Sequence, residues 1–286
     1  MYIINVIELL DIEPFGSFTY SSILFLIERK NKMNESYIVT ETYQLPSMGL
    51  IYDKPISPMV TLRCMSTEEE MRRQPSSGDY HLKTLCDIIQ KCIIGDLGMS
   101  VYDLHLGDYI YLLHKLRIIT HGSEYKLSSR CPICGNIFKT SFDLDSEVVL
   151  KYDEEEYNNA KVITLPQSKA VIELNYQTPK SIDYVNARKK EMEKKAESKE
   201  IDFGYMLTLM QAIKTVDGKQ LSSAALENFV RHLPARDSNF LLQASAKFNN
   251  LIGVEPIITL KCPDCDQTYE TPFRITAEFF GPTIYE

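Results

Sequence analysis

The chain has 286 residues, 44% of them hydrophobic, with a formal net charge of −8 and a pI near 5.3. That length suits one or two globular domains, and the acidic balance opposes non-specific attraction to a phosphate backbone, which depends on Lys and Arg displacing counterions. The longest apolar runs, such as SILFLI at 22–27, fall well short of the roughly 20 residues that span a bilayer, so no membrane insertion is expected.

The amino-terminal MYIINVIELLDIEPF lacks a cationic leader and carries acids within its apolar run, so it does not read as a secretory signal. Synthesis in a reducing cytoplasm follows. Residues 1–65 read as strand-rich: VIELL, SFTYSSILFLIERK and ESYIVTETY are β-branched and aromatic segments separated by turn residues. Pro46, Gly49, Pro55 and Pro58 then mark an irregular stretch that cannot run as a helix. Ser66 followed by Thr67, Glu68, Glu69 and Glu70 has the form of a capped helix start. From His81 to Ile94 the residues Leu82, Leu85, Ile88, Ile89, Cys92 and Ile93 form one helical stripe, an ordinary core face. LGDYIYLLHKLRIITHG predicts a helix closed by Gly122, after which EYKLSSR and IFKTSFDL alternate as strands.

Asp153, Glu154, Glu155 and Glu156 lack the alternating Asp and Gly pattern of a calcium loop, and are read as a solvated loop. AVIELNYQTP reads as a strand. The run from Ser181 to Lys214 predicts one or two helices, with KKEMEKKAESKE a charged stretch that juts into solvent. The last helical stretch is expected to break at Leu233–Pro234, and His232 beside it, with no nucleophile or carboxylate at recognisable spacing, is read as a packed or surface histidine.

Seven cysteines in a reducing compartment do not suggest a disulfide framework. Cys64, Cys86 and Cys92 lie among apolar neighbours and read as small buried hydrophobes. The other four form CPIC at 131–134 and CPDC at 262–265. Each pair closes a matched segment. Asp108, Tyr111, Leu112, Leu113, Gly122, Cys131, Pro132, Cys134, Phe138, Thr140, Phe142 and Leu144 correspond in order to Asp237, Phe240, Leu241, Leu242, Gly253, Cys262, Pro263, Cys265, Tyr269, Thr271, Phe273 and Ile275. Agreement at so many offsets reads as an internal duplication.

Each Cys-Pro-x-Cys falls at the turn of a hairpin, the placement of a zinc knuckle. Two thiolates do not close a tetrahedron, so Cys131, Cys134, Cys262 and Cys265 are expected to share one structural Zn2+. A redox dithiol would need a helix after the first thiol, where strand pattern follows instead. Four cysteine ligands leave no position for water, and no histidine lies near either knuckle at ligand spacing, so neither a catalytic metal nor a small-molecule substrate is expected.

The fold class is α+β. A strand-rich region with LPSMGLIY occupies 1–78, and a first helix-hairpin half with the CPIC knuckle occupies 79–150. An acidic loop, strand and charged helical insertion fill 151–200, and a second helix-hairpin half with the CPDC knuckle fills 201–286.

LPSMGLIY at 45–52, LHLGDYIYLLHKLRIITHGSEYKLSSRCPICG at 104–135 and DLD at 143–145 resemble, as an ordered set, the T4-like bacteriophage baseplate hub family of contractile-tailed myoviruses. The resemblance implies a virion or tail-assembly protein without enzymatic activity, whose partners are other baseplate and tail hub proteins. The alternative is a zinc-ribbon accessory protein that binds nucleic acid in transcription or recombination. Lys126, Arg130, Lys139 and Lys261 near the knuckles speak for it, and Asp264, Asp266 and Glu270 beside them speak against it.

Overall fold

Two loops, residues 45–58 and 165–170, are each captured by a buried carboxylate on a distant helix. A computed structural model describes residues 38–73, 82–195, 202–273, 275 and 277–280. The chain divides into two compact units, Met1–Val39 and Thr40–Glu286; the architecture below is that of the second. The segments VIELL and SFTYSSILFLIERK lie outside the described residues, as does the start of ESYIVTETY.

The first part runs β1 (Thr40–Gln44), β2 (Met59–Arg63), α1 (Thr67–Arg73), α2 (Leu82–Cys92), β3 (Ile93–Ile94), α3 (Leu106–His121) and the hairpin β4 (Glu124–Arg130) with β5 (Ile137–Asp143). After β6 (Val149–Leu150) come α4 (Glu154–Lys161), β7 (Val162–Thr164), β8 (Val171–Leu174), α5 (Pro179–Lys195), α6 (Phe203–Ala212), β9 (Ile213–Val216), α7 (Ser223–Arg231) and α8 (Ala235–Asn249). The chain then passes through β10 (Gly253–Val254) to the hairpin β11 (Ile257–Lys261) with β12 (Thr268–Pro272) and a last 3-10 turn, Ala277–Phe280. This is a mixed α and β fold in which, among the described residues, every sheet is small and antiparallel.

Two sheets have three strands each, in the orders β1-β2-β3 and β7-β8-β9. In the first, Thr42 stands opposite Thr61 and Leu62 opposite Ile93. In the second, Ile163 stands opposite Ile172, which in turn pairs with Val216. This second sheet draws strands from both sides of residue 200, where the sequence suggested a boundary.

A loop beginning Leu-Pro joins the first two strands of each sheet. Leu45 and Leu165 are buried at the loop starts, and Met48 and Lys169 adopt positive φ values of 53° and 62°. Each loop is tied to a carboxylate in the first turn of a distant helix. Asp108 of α3 accepts from the Ser47 amide at 3.0 Å, from the Ser47 hydroxyl, and from the Tyr52 hydroxyl at 2.6 Å. Asp237 of α8 accepts from the amides of Gln167 at 2.7 Å and Ser168 at 2.8 Å. Both aspartates are fully buried. A helix amino terminus is a favourable place for such a charge, because its unpaired N–H groups and aligned peptide dipoles present positive potential. Burial pushes the Asp108 carboxyl above its ordinary range despite these donors. Burial acts in the same sense on Asp237, but the amides of Ser168 and Gln167 outweigh it and hold that carboxyl below the ordinary range.

The capped start at Ser66 forms as its sequence predicts. The Glu69 carboxylate accepts from the Ser66 amide and hydroxyl at 2.9 and 2.5 Å, and Arg63 closes on it at 2.9 Å. The acidic run at 153–156, by contrast, is the start of helix α4 and not a loop. Asp153 is its N-cap, accepting from the Glu156 amide, and the three glutamates sit in the first turn, where the helix dipole favours them. Its short length and single buried residue, Tyr157, explain why no apolar period announces it.

Among the described residues, apolar side chains gather in three clusters. The first joins β1, β2, α2 and α3 and includes Cys86 and Cys92, while Cys64 is half-buried. The second joins β7, β8, β9 and α8, and the third is small and surrounds Cys131 and Cys262. Two glycines bring α3 against the turn after α8. A Cβ on Gly107 would lie 2.0 Å from the Ile252 carbonyl oxygen, and one on Gly253, whose φ is 125°, would lie 2.6 Å from the Gly107 Cα. Gly122 ends α3 as expected, with φ 87°, whereas α8 ends at Asn250 and Gly253 instead stands opposite Leu150 in the β6–β10 pair. Its role is close approach rather than helix termination.

The chain end returns to the first cluster. Phe279 is 1% exposed and packs on His114, Tyr125 and Phe273. Its carbonyl accepts from Arg117 Nε at 2.8 Å. No described helix is long and apolar enough to cross a membrane.

Replacing Asp108 by Ala leaves two buried donors of the first Leu-Pro loop, and the Tyr52 hydroxyl, without their acceptor. A loss of about 3 kcal/mol is expected from chemical denaturation, the order found when a buried hydrogen-bonded charge is deleted. An unchanged denaturation midpoint would show that the loop does not depend on it.

Candidate metal centre

The two hairpins are built alike, and local chemistry explains why. In β4–β5, Arg130 stands opposite Ile137, and the turn between them is closed by Cys131 N–H to the Asn136 carbonyl and Gly135 N–H to the Cys131 carbonyl, both 2.9 Å. In β11–β12, Lys261 stands opposite Thr268, with Cys262 N–H to the Gln267 carbonyl at 2.9 Å and Asp266 N–H to the Cys262 carbonyl at 3.0 Å. Gly135 and Asp266 both take positive φ, at 77° and 58°. This bend turns both cysteines of a pair to the same side, a conformation Gly adopts freely and Asp tolerates.

The hairpins bring their tips together. Cys131 Sγ lies 3.7 Å from Cys265 Sγ, and Cys134 Sγ lies 3.7 Å from Cys262 Sγ. All four ligand atoms are within 4.8 Å of one another. Four sulfurs at the corners of a tetrahedron with metal–sulfur bonds near 2.3 Å would be separated by about 3.8 Å along each edge. The set is therefore compatible with a metal site. Cys131 and Cys262, the first cysteine of each pair, are fully buried, Cys265 is half-buried and Cys134 is exposed.

The electrostatics favour unequal thiols. The amides of Cys134 and Ile133 pull the Cys131 thiol down to about 7. The Gln267 amide also pulls on Cys265, but burial and the thiols of Cys262, Cys131 and Cys134 outweigh it and push that group up to about 12. Four sulfurs this close cannot all carry charge by themselves, since like charges at this range repel. A divalent cation among them reverses that cost.

Contacts around the sulfurs hold the tips in register. Phe138 and Tyr269 pack against the buried cysteines, Ser129 Oγ and Tyr269 OH are 2.8 Å apart, and Asn136 donates to Asp264 at 2.6 Å across the tips. At the hairpin bases, Phe273 packs edge-on to Tyr125 with centroids 5.6 Å apart, and lies 5.9 Å from Phe142.

Of the other residues weighed in the sequence, His232 follows α7 as an exposed side chain with its Nδ1 2.7 Å from the Asn228 carbonyl. Lys126, Arg130 and Lys139 lie on the outer face of β4–β5, and Lys261 pairs with Asp266 at 2.6 Å. Sequence reasoning missed the buried pair of His114 and Glu147, 2.7 Å apart under the Phe273 and Phe279 rings. Nothing local in the sequence marks it, because its members meet only through the packing of α3 against the chain that follows β5.

The family model described as T4 bacteriophage base plate protein matches residues 55–281, most of the chain and all four knuckle cysteines. The chain belongs to that family. It is thus a phage baseplate protein, a structural component of a tail, and its surroundings are other baseplate proteins. No curated protein and no solved structure matches it.

Serine at Cys131 or at Cys262 places a weakly coordinating hydroxyl where a buried sulfur stands, and either change is expected to lower the melting temperature of this baseplate protein. Cys64→Ser, outside the cluster, is the control and is expected to melt like the parent. Equal melting of all four proteins in differential scanning calorimetry would show that the sulfur cluster does not contribute to stability.

Proposed function

We propose that the chain is a non-enzymatic structural or assembly protein of the hub region of a contractile-tail baseplate, fastened by one structural Zn2+ and acting through contacts with other baseplate proteins. The observation that carries this reading is the meeting of Cys131, Cys134, Cys262 and Cys265 within 4.8 Å. Thiolate-only sets with tetrahedral spacing suit zinc, a soft-tolerant ion without redox chemistry or geometric demands of its own. Four protein sulfurs would fill the coordination sphere, so the ion would hold the chain together and would not activate water. The metal closes a loop between ribbons far apart in sequence, and binding free energy at such a site is folding free energy.

We further read the described chain as two copies of one unit: a sheet with a Leu-Pro loop, a helix whose first-turn aspartate captures that loop, and a ribbon ending in a knuckle. The equal strand orders and the equivalent roles of Asp108 and Asp237 support this reading, and extend the sequence match upstream of the helices. On it, β7 and β8 belong to the second unit, while the charged α5 elaborates that unit. A tandem pair suits a scaffold, because one fold supplies both halves of the clamp.

Metal analysis of the purified protein is expected to find one zinc per chain, released by a strong chelator together with a fall in melting temperature. Chelation that leaves melting unchanged, or iron in place of zinc, would remove the assignment. Mass spectrometry of purified virions and of isolated baseplates is expected to find the polypeptide in the hub fraction, and its recovery in a peripheral fraction alone would argue against hub placement.

A further inference from the structure

The two ribbons share a backbone but not an outer surface. When Cys131 is aligned with Cys262 and Cys134 with Cys265, the inward side chains keep their character: Leu127 matches Ile258, Phe138 matches Tyr269, Thr140 matches Thr271 and Phe142 matches Phe273. Outward, the match fails. Lys126 stands where the second ribbon has Ile257, and Lys139 where it has Glu270. Arg130 corresponds to Lys261, whose charge is taken up by Asp266 at 2.6 Å. The second ribbon therefore shows that neither the hairpin nor the knuckle requires a cationic face.

On the first ribbon, Lys126, Ser128 and Arg130 alternate along β4, with Ser141, Lys139 and Ile137 opposite them, and all six side chains are exposed. Neither Arg130 nor Lys139 has a carboxylate partner among the described residues. From Lys126 to Arg130 the strip is about 14 Å long at the usual rise of a strand. Ile133 and Ile137 lie at its far end, 60% and 63% exposed. Such a strip, on a chain of net charge −8, is a local reversal of sign.

We propose that the outer face of the first ribbon docks an acidic protein segment of a neighbouring baseplate subunit, with Lys126, Arg130 and Lys139 facing its carboxylates and Ile133 and Ile137 giving it an apolar anchor. The proposal rests on the reading of the chain as a duplicated scaffold. Charge complementarity selects an acidic partner, since opposed potentials steer encounter and reject wrong partners. The boundaries of the strip select protein over nucleic acid. Glu124 and Asp143 close one end, and Asp264, held by Asn136, stands near the other, so a continuous phosphate backbone would run past carboxylates at both ends. Its uncharged exposed side chains are aliphatic or hydroxylic, suited to an interface core and offering no ring on which a base could stack.

The test uses the full-length protein and the triple variant K126E/R130E/K139E. Metal content and melting temperature are expected to match the parent, because all three side chains point away from the sulfurs; zinc retention also separates failure of the docking surface from failure of the scaffold. Binding to a glutamate homopolymer, read by fluorescence anisotropy, is expected to weaken by about tenfold or more, the scale of a few exposed charge pairs lost and reversed. In phage carrying the triple reversal, plaque formation is expected to fall, and suppressors are expected to exchange Asp or Glu for Lys or Arg in another baseplate gene. Unchanged binding and unchanged plaque formation would overturn the proposal. So would tighter binding of a single-stranded oligonucleotide than of the glutamate polymer at physiological salt, or a dimer of the parent that the reversals dissociate, which would put a second copy of this chain on the strip.

Discussion

Everything distal to the two cores depends on four sulfur atoms meeting at one point. A hairpin standing out from a helical body has two open edges and few tertiary contacts, and an isolated two-stranded ribbon is marginal in water. Here two such ribbons lean together, and beside the sulfurs their tips meet through Phe138 and Tyr269 against the cysteines and through the polar links Ser129–Tyr269 and Asn136–Asp264. A metal among the sulfurs would fix the separation of the tips at bond-length precision, and Cys131 and Cys262, buried at the centre, are the groups through which that constraint would reach both ribbons.

At the other end of each ribbon the constraint is covalent continuity with a helix whose position is already set. Asp108 and Asp237 orient α3 and α8 by capturing the amides of the two Leu-Pro loops, so each helix is pinned to its own sheet before the ribbon begins. Gly107 and Gly253 then let the start of α3 cross the turn after α8 at backbone contact. The bases and the tips of the ribbons are thus held by different chemistry, buried carboxylates and close-packed glycines below and thiols above. Phe279, carried back by the chain after β12 and anchored by Arg117, adds aromatic packing to the base of the first ribbon.

What was readable in the sequence is what local chemistry determines. The knuckles could be seen because a Cys-Pro-x-Cys turn and the alternation around it lie within a few residues of each other, and α2 because its stripe has a helical period. The capping box at Ser66 is equally local. The acidic start of α4 does not announce itself as a helix because its logic is electrostatic: Asp153 caps and three glutamates face the helix dipole, while Tyr157 alone is buried, too little to create a period. The aspartates were visible as matched positions but not as loop anchors, since their partners lie far away in sequence and only the fold brings the Leu-Pro segments to them. Leu165-Pro166 carried the same signal as Leu45-Pro46, yet β7 and β8 around it are too short to have shown a sheet by themselves.

The comparison of one half with the other also separates what folding demands from what it leaves open. Where inward positions agree, as at Phe142 and Phe273, packing against the partner ribbon accounts for the agreement, because both rings contribute to the same aromatic contact at the base. Where outward positions differ, as at Lys139 and Glu270, the same strand register and the same turn tolerate opposite charges, so stability of the ribbon cannot account for either. A surface charge that folding does not fix is free to be set by whatever the surface meets. In this baseplate protein the residues that cohesion demands therefore lie between the ribbons, and the outward positions are the ones that folding leaves open.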